Sequence, residues 1–151
     1  MDIKDAKVRA ARLCSQQERC SADIREKLGR WEVSEKDRDE VILWLKNEKY
    51  LDDSRYASFY VRDKFRFNRW GKIKIRFMLK QKQIPGELIN QALEEIPEEE
   101  YLDTCRQLLK SKLKTIKDKN QFTRKAKLLR FASQRGFETE VIYEAIRLSG
   151  Y

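Results

Sequence analysis

The chain has 151 residues, with 34 lysines and arginines against 25 acidic residues, no histidine and a formal net charge of +9. An apolar content of 40% with 11% aromatic is enough for a packed core and excludes global disorder, while five glycines and two prolines point to helices joined by short turns. The longest apolar run, Val41 to Leu45, is far too short to span a membrane, and the charged segment Met1 to Lys7 has no signal-peptide core behind it. Three cysteines, Cys14, Cys20 and Cys105, are too few for a tetrahedral zinc site without histidine. Cys14 and Cys105 fall on apolar helix stripes and are expected as buried, reduced thiols in a cytoplasmic protein.

The first helix is expected over about residues 3 to 17, with Val8, Ala11 and Cys14 on its inner face and Leu13 beside them. Ser21 offers an N-cap for a second helix containing Ile24 and Leu28, which ends near Gly29 to Trp31. Ser34 opens a third, whose inner face is Val41, Ile42 and Leu45.

At Tyr50-Leu51-Asp52-Asp53-Ser54-Arg55-Tyr56 a second unit begins. Asp52 and Asp53 are N-cap residue types whose charge suits the positive end of the following helix, so capping is expected of them rather than metal binding or catalysis. Tyr50, Leu51, Asp52, Asp53, Arg55 and Tyr56 thus form a structural junction. The long helix after it reaches about Asn68 and is stopped by Trp70-Gly71. Ile73, Ile75, Phe77, Met78 and Leu79 fill a helix over about 72 to 82. Pro85, in a first helical turn, introduces Leu88, Ile89, Ala92, Leu93 and Ile96.

Pro97 starts the next helix in the same way, with Glu98, Glu99 and Glu100 in the first turn, where the dipole favours them. Leu102, Cys105, Leu109 and Leu113 line it. A polar loop near 115 to 121 follows, then Phe122, Ala126, Leu128, Leu129, Phe131 and Ala132, and after Gly136-Phe137 come Val141, Ile142, Ala145 and Ile146.

The order long, short, short recurs. An offset of 53 residues places Ile75 on Leu128, Met78 on Phe131, Ile84 on Phe137, Ile89 on Ile142, Ala92 on Ala145 and Leu93 on Ile146. The expected fold is therefore all-α: tandem three-helix repeats over 1–52, 53–97 and 98–151, stacked into an elongated, curved array.

Charge is concentrated. Residues 62 to 82 hold nine basic groups and one acid, and residues 106 to 135 hold eleven and one, whereas residues 1 to 53 are balanced at twelve and thirteen. Arg62, Lys64, Arg66, Arg69, Lys72, Lys74, Arg76 and Lys80 alternate with Phe65, Phe67, Trp70 and Phe77. That pattern is compatible with phosphate neutralisation and base stacking, although the aromatic residues at this spacing are first expected in the core. Lys110, Lys112, Lys114, Lys117, Lys119, Arg124, Lys125, Lys127 and Arg130 form a second basic stretch, suited to a phosphate backbone or to an acidic protein groove. No histidine or spaced carboxylate pair offers general acid–base chemistry, and Gly29, Gly71, Gly86, Gly136 and Gly150 are isolated rather than gathered in a phosphate loop. Neither catalytic nor metal-ligating residues nor a cofactor are expected.

The junction after Trp44, the Lys82-Gln83-Ile84 and Arg135-Gly136-Phe137 turns and the segment Ser21 to Leu28 resemble the RecX family of bacterial regulators of the RecA recombinase. In that family a glycine commonly precedes the junction tyrosine and occupies the Lys-Gly-Ile turn; here Lys49 and Gln83 stand there, where a left-handed backbone would be strained. The resemblance implies three-helix repeats lying in the groove of the RecA filament and restraining ATP hydrolysis, strand exchange and co-protease activity, without enzymatic activity of their own. It places the chain in DNA repair, homologous recombination and the SOS response, as a monomer with no membrane partner. The alternative is a basic helical module acting on single- or double-stranded DNA directly.

Overall fold

A computed structural model describes residues 1–151, which form nine α-helices: α1 Ile3–Gln16, α2 Ser21–Arg30, α3 Glu35–Asn47, α4 Asp53–Arg66, α5 Lys72–Gln81, α6 Gly86–Glu94, α7 Glu98–Leu113, α8 Gln121–Gln134 and α9 Thr139–Ser149. The expected all-α order of tandem three-helix repeats is what forms. By packing, the chain divides into two compact units, residues 1–59 with 79–89 and residues 60–78 with 90–151. The division runs through α4, α5 and α6, so the sequence period and the packed unit are different things.

In the first unit α1, α2 and α3 pack on one another around Ile24, Leu28, Val33, Val41, Ile42 and Leu45. The inner face of α1 is made by Ala6, Ala10 and Ala11, with Ile3, Leu13 and Cys14 partly buried against it. Val8, expected inside, is 56% exposed. It lies two residues from both Ala6 and Ala10, about 200° around the helix, and the alanine stripe is the side that lets α1 approach α3 closely. Leu51 is buried in this same core, fully within the first unit.

Helix ends follow a shared device. After α2, α3, α5 and α8 one residue turns left-handed, at Glu32, Lys49, Gln83 and Gly136. The amide of the next residue then reaches back to the last helical turn: Val33 to Leu28 (3.0 Å), Tyr50 to Leu45 (2.8 Å), Ile84 to Leu79 (3.2 Å) and Phe137 to Ala132 (3.1 Å). This is the Schellman arrangement, and Val33, Ile84 and Phe137 bury the side chain that follows the turn. Only one of the four left-handed residues is glycine.

Helix α4 stops the same way but not where expected. Arg69 takes the left-handed conformation and the Trp70 amide bonds the Lys64 carbonyl at 3.1 Å. Gly71 serves close packing instead, since a Cβ there would lie under 3.0 Å from the Gly136 carbonyl and the Phe137 nitrogen. Pro85 and Pro97 sit one residue before their helices rather than inside the first turn, their carbonyls accepting from Ile89 and Tyr101.

The second unit is built on α7, α8 and α9 around Cys105, Leu109, Leu128, Ile142 and Ala145. Phe65, Tyr101 and Phe137 form an aromatic row within it, with ring centroids 5.8 and 5.0 Å apart. Burial pushes the Cys20 thiol up to about 11 and the Cys105 thiol up to about 12, and raises Cys14 as well. All three remain free thiols, Cys14 only half-buried.

Candidate polyanion interface

The site is assembled from the start of α5 and the end of α8. Gly71, Lys72 and Ile73 carry amides that the α5 helix leaves without intrahelical acceptors. Arg135 and Gly136 supply carbonyls to Gly71 (2.7 Å) and Ile73 (2.9 Å), and the Tyr101 hydroxyl accepts from Lys72 (2.9 Å) while itself donating to Glu138. The negative end of one helix thus meets the positive end of another. An approach this close requires both glycines, since a Cβ on Gly136 would come under 3.0 Å from the Lys74 backbone and Cβ. Tyr101 is buried and its hydroxyl is held protonated, first by desolvation and then by its bond to Glu138.

Arg62 to Arg76 of the first basic stretch and all of the second belong to one unit, whereas Lys80 belongs to the other. Lys64 and Lys74 lie over the Trp70 ring at 5.3 and 4.5 Å. Lys112 and Arg135 flank the Phe131 ring at 5.3 and 5.1 Å. Arg135 also donates to the Asn68 carbonyl at 3.4 Å, two residues before Trp70. Each ring is therefore bracketed by two cations, worth about 0.5–1 kcal/mol per exposed pairing. Arg135 is an addition to the site expected from sequence; its aromatic partner one turn upstream on α8 is the local signal for it.

The other basic residues divide by surroundings. Arg66 reaches Glu100 at 3.8 Å, Lys127 pairs with Asp118, and Arg76 bonds Asn90. Lys72 lies 4.7 Å over Tyr101. Arg62, Arg69, Lys80, Lys110, Lys114, Lys117, Lys119 and Arg130 are exposed, and Arg124 and Lys125 half-exposed. Lys112, Lys117, Lys127 and Arg130 meet at a cleft of about 510 Å³, floored in part by Phe131.

The aromatic residues do not all serve the core. Phe65 is buried, but Phe67 is 83% exposed and Phe77 58%. Alternate residues on a helix point about 200° apart, so once Phe65 and Ile75 face inward, Phe67, Ile73 and Phe77 face out. Phe122, beside Arg124 and Lys125, is 86% exposed.

At the junction the roles differ from those expected. Asp52 caps α4 through the Arg55 amide at 3.0 Å, whereas Asp53 turns its carboxylate to the amide and hydroxyl of Ser21, capping α2. Ser21 is accordingly not the N-cap of α2; Cys20 holds that position and its side chain makes no cap. Arg55 pairs with Glu18 at 2.7 Å and donates to the Lys49 and Tyr50 carbonyls, bracing the left-handed turn. Tyr50 stacks on Trp44 at 5.9 Å, and Tyr56 is half-buried on α4.

Fold and site together define an all-α protein of tandem three-helix units with a cationic, aromatic-studded surface. Family models described as the first, second and third three-helix domains of RecX match residues 6–45, 52–93 and 98–146, and the chain belongs to the RecX family. A protein named Regulatory protein RecX from Clostridium acetobutylicum is 30% identical over 146 residues, covering 94% of this chain and 67% of its own length. The namesakes from Clostridium beijerinckii and Bacillus cytotoxicus are each 29% identical, covering 91% and 93% of this chain but 65% and 52% of their own lengths. The chain thus spans about half to two thirds of the length of the curated relatives it matches. Among solved structures, the crystal structure of RecX from Lactobacillus salivarius superimposes with a TM-score of 0.90 at 21% identity over 96% of this chain and 94% of that one. A crystal structure titled regulatory protein RecX gives 0.88 at 26% identity over 96% and 72%.

Proposed function

We propose that the chain is a non-enzymatic regulator of the RecA recombinase that binds along the groove of the nucleoprotein filament and restrains ATP hydrolysis, strand exchange and co-protease activity. The observation that carries this reading is the family match, which runs through all three helical domains from residue 6 to residue 146. The cationic surface of the second unit supports it, because a filament on DNA is a polyanion and long-range attraction would speed encounter. Action by occupancy needs no catalytic group. The basic residues from Arg62 to Lys80 and from Lys110 to Arg130 are the groups assigned to the partner, and a cytoplasmic monomer suits the role.

The test is single-strand-dependent ATP hydrolysis by the cognate recombinase. Substoichiometric protein should lower it; normal hydrolysis at saturating protein, with no binding to the filament, overturns the reading. A second reading, direct binding to DNA, is favoured by Phe67 and Phe122, which stand exposed among cations where bases could stack on them. Comparing affinity for a bare oligonucleotide with affinity for the filament separates the two.

A further inference from the structure

The cleft between the end of α7 and the outer face of α8 gathers four cations around one concavity, more than share the smaller hollows at Arg124 and Lys125 or at Arg62 and Arg66. Lys112, Lys117, Lys127 and Arg130 line it against a single acid, Asp118, leaving a net charge of +3 around about 510 Å³. Two of its walls are fixed. Asp118 pairs with Lys127, which ties the 114–120 loop to α8, and the Thr115 hydroxyl donates to the Lys112 carbonyl at 2.8 Å, which holds the start of that loop. Lys112 is also seated over the Phe131 ring.

Like charges gathered in a cleft repel one another, and an anion that enters relieves the repulsion. Carboxylates from a protein would have to be delivered one at a time from separate side chains. Linked phosphoryl groups bring several charges and many acceptor oxygens in one compact unit, and both ammonium and guanidinium donors suit them. Gln134 adds an amide at the rim.

We propose that this cleft is a binding site for oligophosphate, meaning two or more consecutive phosphoryl groups, whether from a nucleic-acid backbone or from a free nucleotide. The assignment rests on the polyanion-binding reading of the Lys110 to Arg130 stretch and deepens it, but its test uses the isolated chain without recombinase, so it can fail while the filament reading stands.

Calorimetric titration of the full chain at about 0.15 M salt, where surface attraction is screened, would use three probes: inorganic tripolyphosphate, ATP and a short oligothymidylate. Tripolyphosphate should bind. If it also competes with the oligothymidylate, the natural source is a strand backbone; if ATP binds and the oligothymidylate does not, the source is a free nucleotide. Lys117→Gln with Arg130→Gln should weaken tripolyphosphate about tenfold or more, with melting curves unchanged because both side chains are exposed. Lys4→Gln with Lys36→Gln removes the same charge from the first unit and should change affinity less than about twofold. Absence of tripolyphosphate binding, or equal weakening by the two double variants, overturns the proposal.

Discussion

The Asp53 carboxylate accepts from both the amide and the hydroxyl of Ser21, at 2.9 and 3.1 Å, so a residue in the first turn of α4 caps α2 across 32 positions of sequence. The equivalent place at the start of α5 is filled by another long-range acceptor, the Tyr101 hydroxyl on the Lys72 amide. In both cases the second helix of a repeat takes its cap from the helix that opens the next.

Asp53→Ala should therefore destabilise the first unit by about 1–2 kcal/mol by stripping the α2 cap, and Asp53→Asn should recover most of that loss because an amide oxygen can still accept. Asp52→Ala removes the α4 cap alone and should cost about 1 kcal/mol. Urea unfolding of the three variants checks this. Equal losses for Asp53→Ala and Asp53→Asn would mean that the carboxylate charge, not its geometry, is what α2 needs.

Lys49 and Gln83 adopt φ of 65° and 60° without being glycine. Left-handed backbone costs an L-residue roughly 1–2 kcal/mol, part of which glycine gives back through the entropy of the unfolded chain. Lys49→Gly and Gln83→Gly should each stabilise the chain by up to about 1 kcal/mol, seen as a raised denaturation midpoint. At Lys49 the gain should survive, because Arg55 braces that turn through backbone carbonyls that remain after the substitution.

The helices, their order and the apolar stripes are legible in the sequence because periodicity is local: Ile24 with Leu28, Val41 with Leu45, and Ile142 with Ala145 and Ile146 read correctly and are buried. Features that depend on a partner distant in sequence are not. Asp53 is a good cap residue type in either role, and nothing local says that Ser21 is closer than its own helix. Gly71 reads as a helix stop, but its lack of a side chain is used against Gly136, 65 residues on. Period-two runs such as Ile73, Ile75 and Phe77 leave the inward phase undecided until Leu79 fixes it.

Gly71→Ala tests that close approach. Its Cβ would meet backbone atoms of Gly136 and Phe137, which, unlike a flexible side-chain tip, have no room to yield. The α5 and α8 ends should be forced apart, breaking the Gly71–Arg135 and Ile73–Gly136 hydrogen bonds, at a cost of about 1–3 kcal/mol for overpacking and more if the amides are left unmet. Gly86→Ala, where the added carbon meets nothing, is the control. A melting temperature unchanged by Gly71→Ala would mean that the two helix ends separate freely.

Buried thiols give the stability a pH dependence of known sign. Cys105 is raised to about 12 and Cys20 to about 11 from an ordinary 9.0, in both cases chiefly by desolvation. A group whose pKa is raised in the folded state favours folding fully below the unfolded value, and that contribution is lost as pH climbs through the folded one. Unfolding free energy should fall between pH 9 and 12, and Cys105→Ala, despite the cavity it leaves, should flatten the fall. A neutral maleimide should reach Cys14 before Cys20 or Cys105, since Cys14 alone is only half-buried.

The first basic stretch makes the sharpest functional prediction. Replacing Arg66, Arg69, Lys72 and Lys74 by glutamine removes four charges from the unit that also carries the Trp70 and Phe131 clusters, and keeps the side chains long enough to cover Trp70 and Tyr101. The Lys72 and Ile73 backbone amides, which anchor α5, are untouched by the change, so the fold should lose little beyond the two cation–ring pairings, about 1–2 kcal/mol in all. If these residues meet DNA phosphates, affinity should drop and the slope of log affinity against log salt should shrink by roughly one unit for each phosphate no longer neutralised. If they meet the carboxylates of a protein groove, affinity should drop with much less change in slope, because no condensed counterions are released. Filament affinity measured across a salt series, with a melting curve for each variant, distinguishes the two ligands; unchanged affinity and slope would remove this face from the interface altogether.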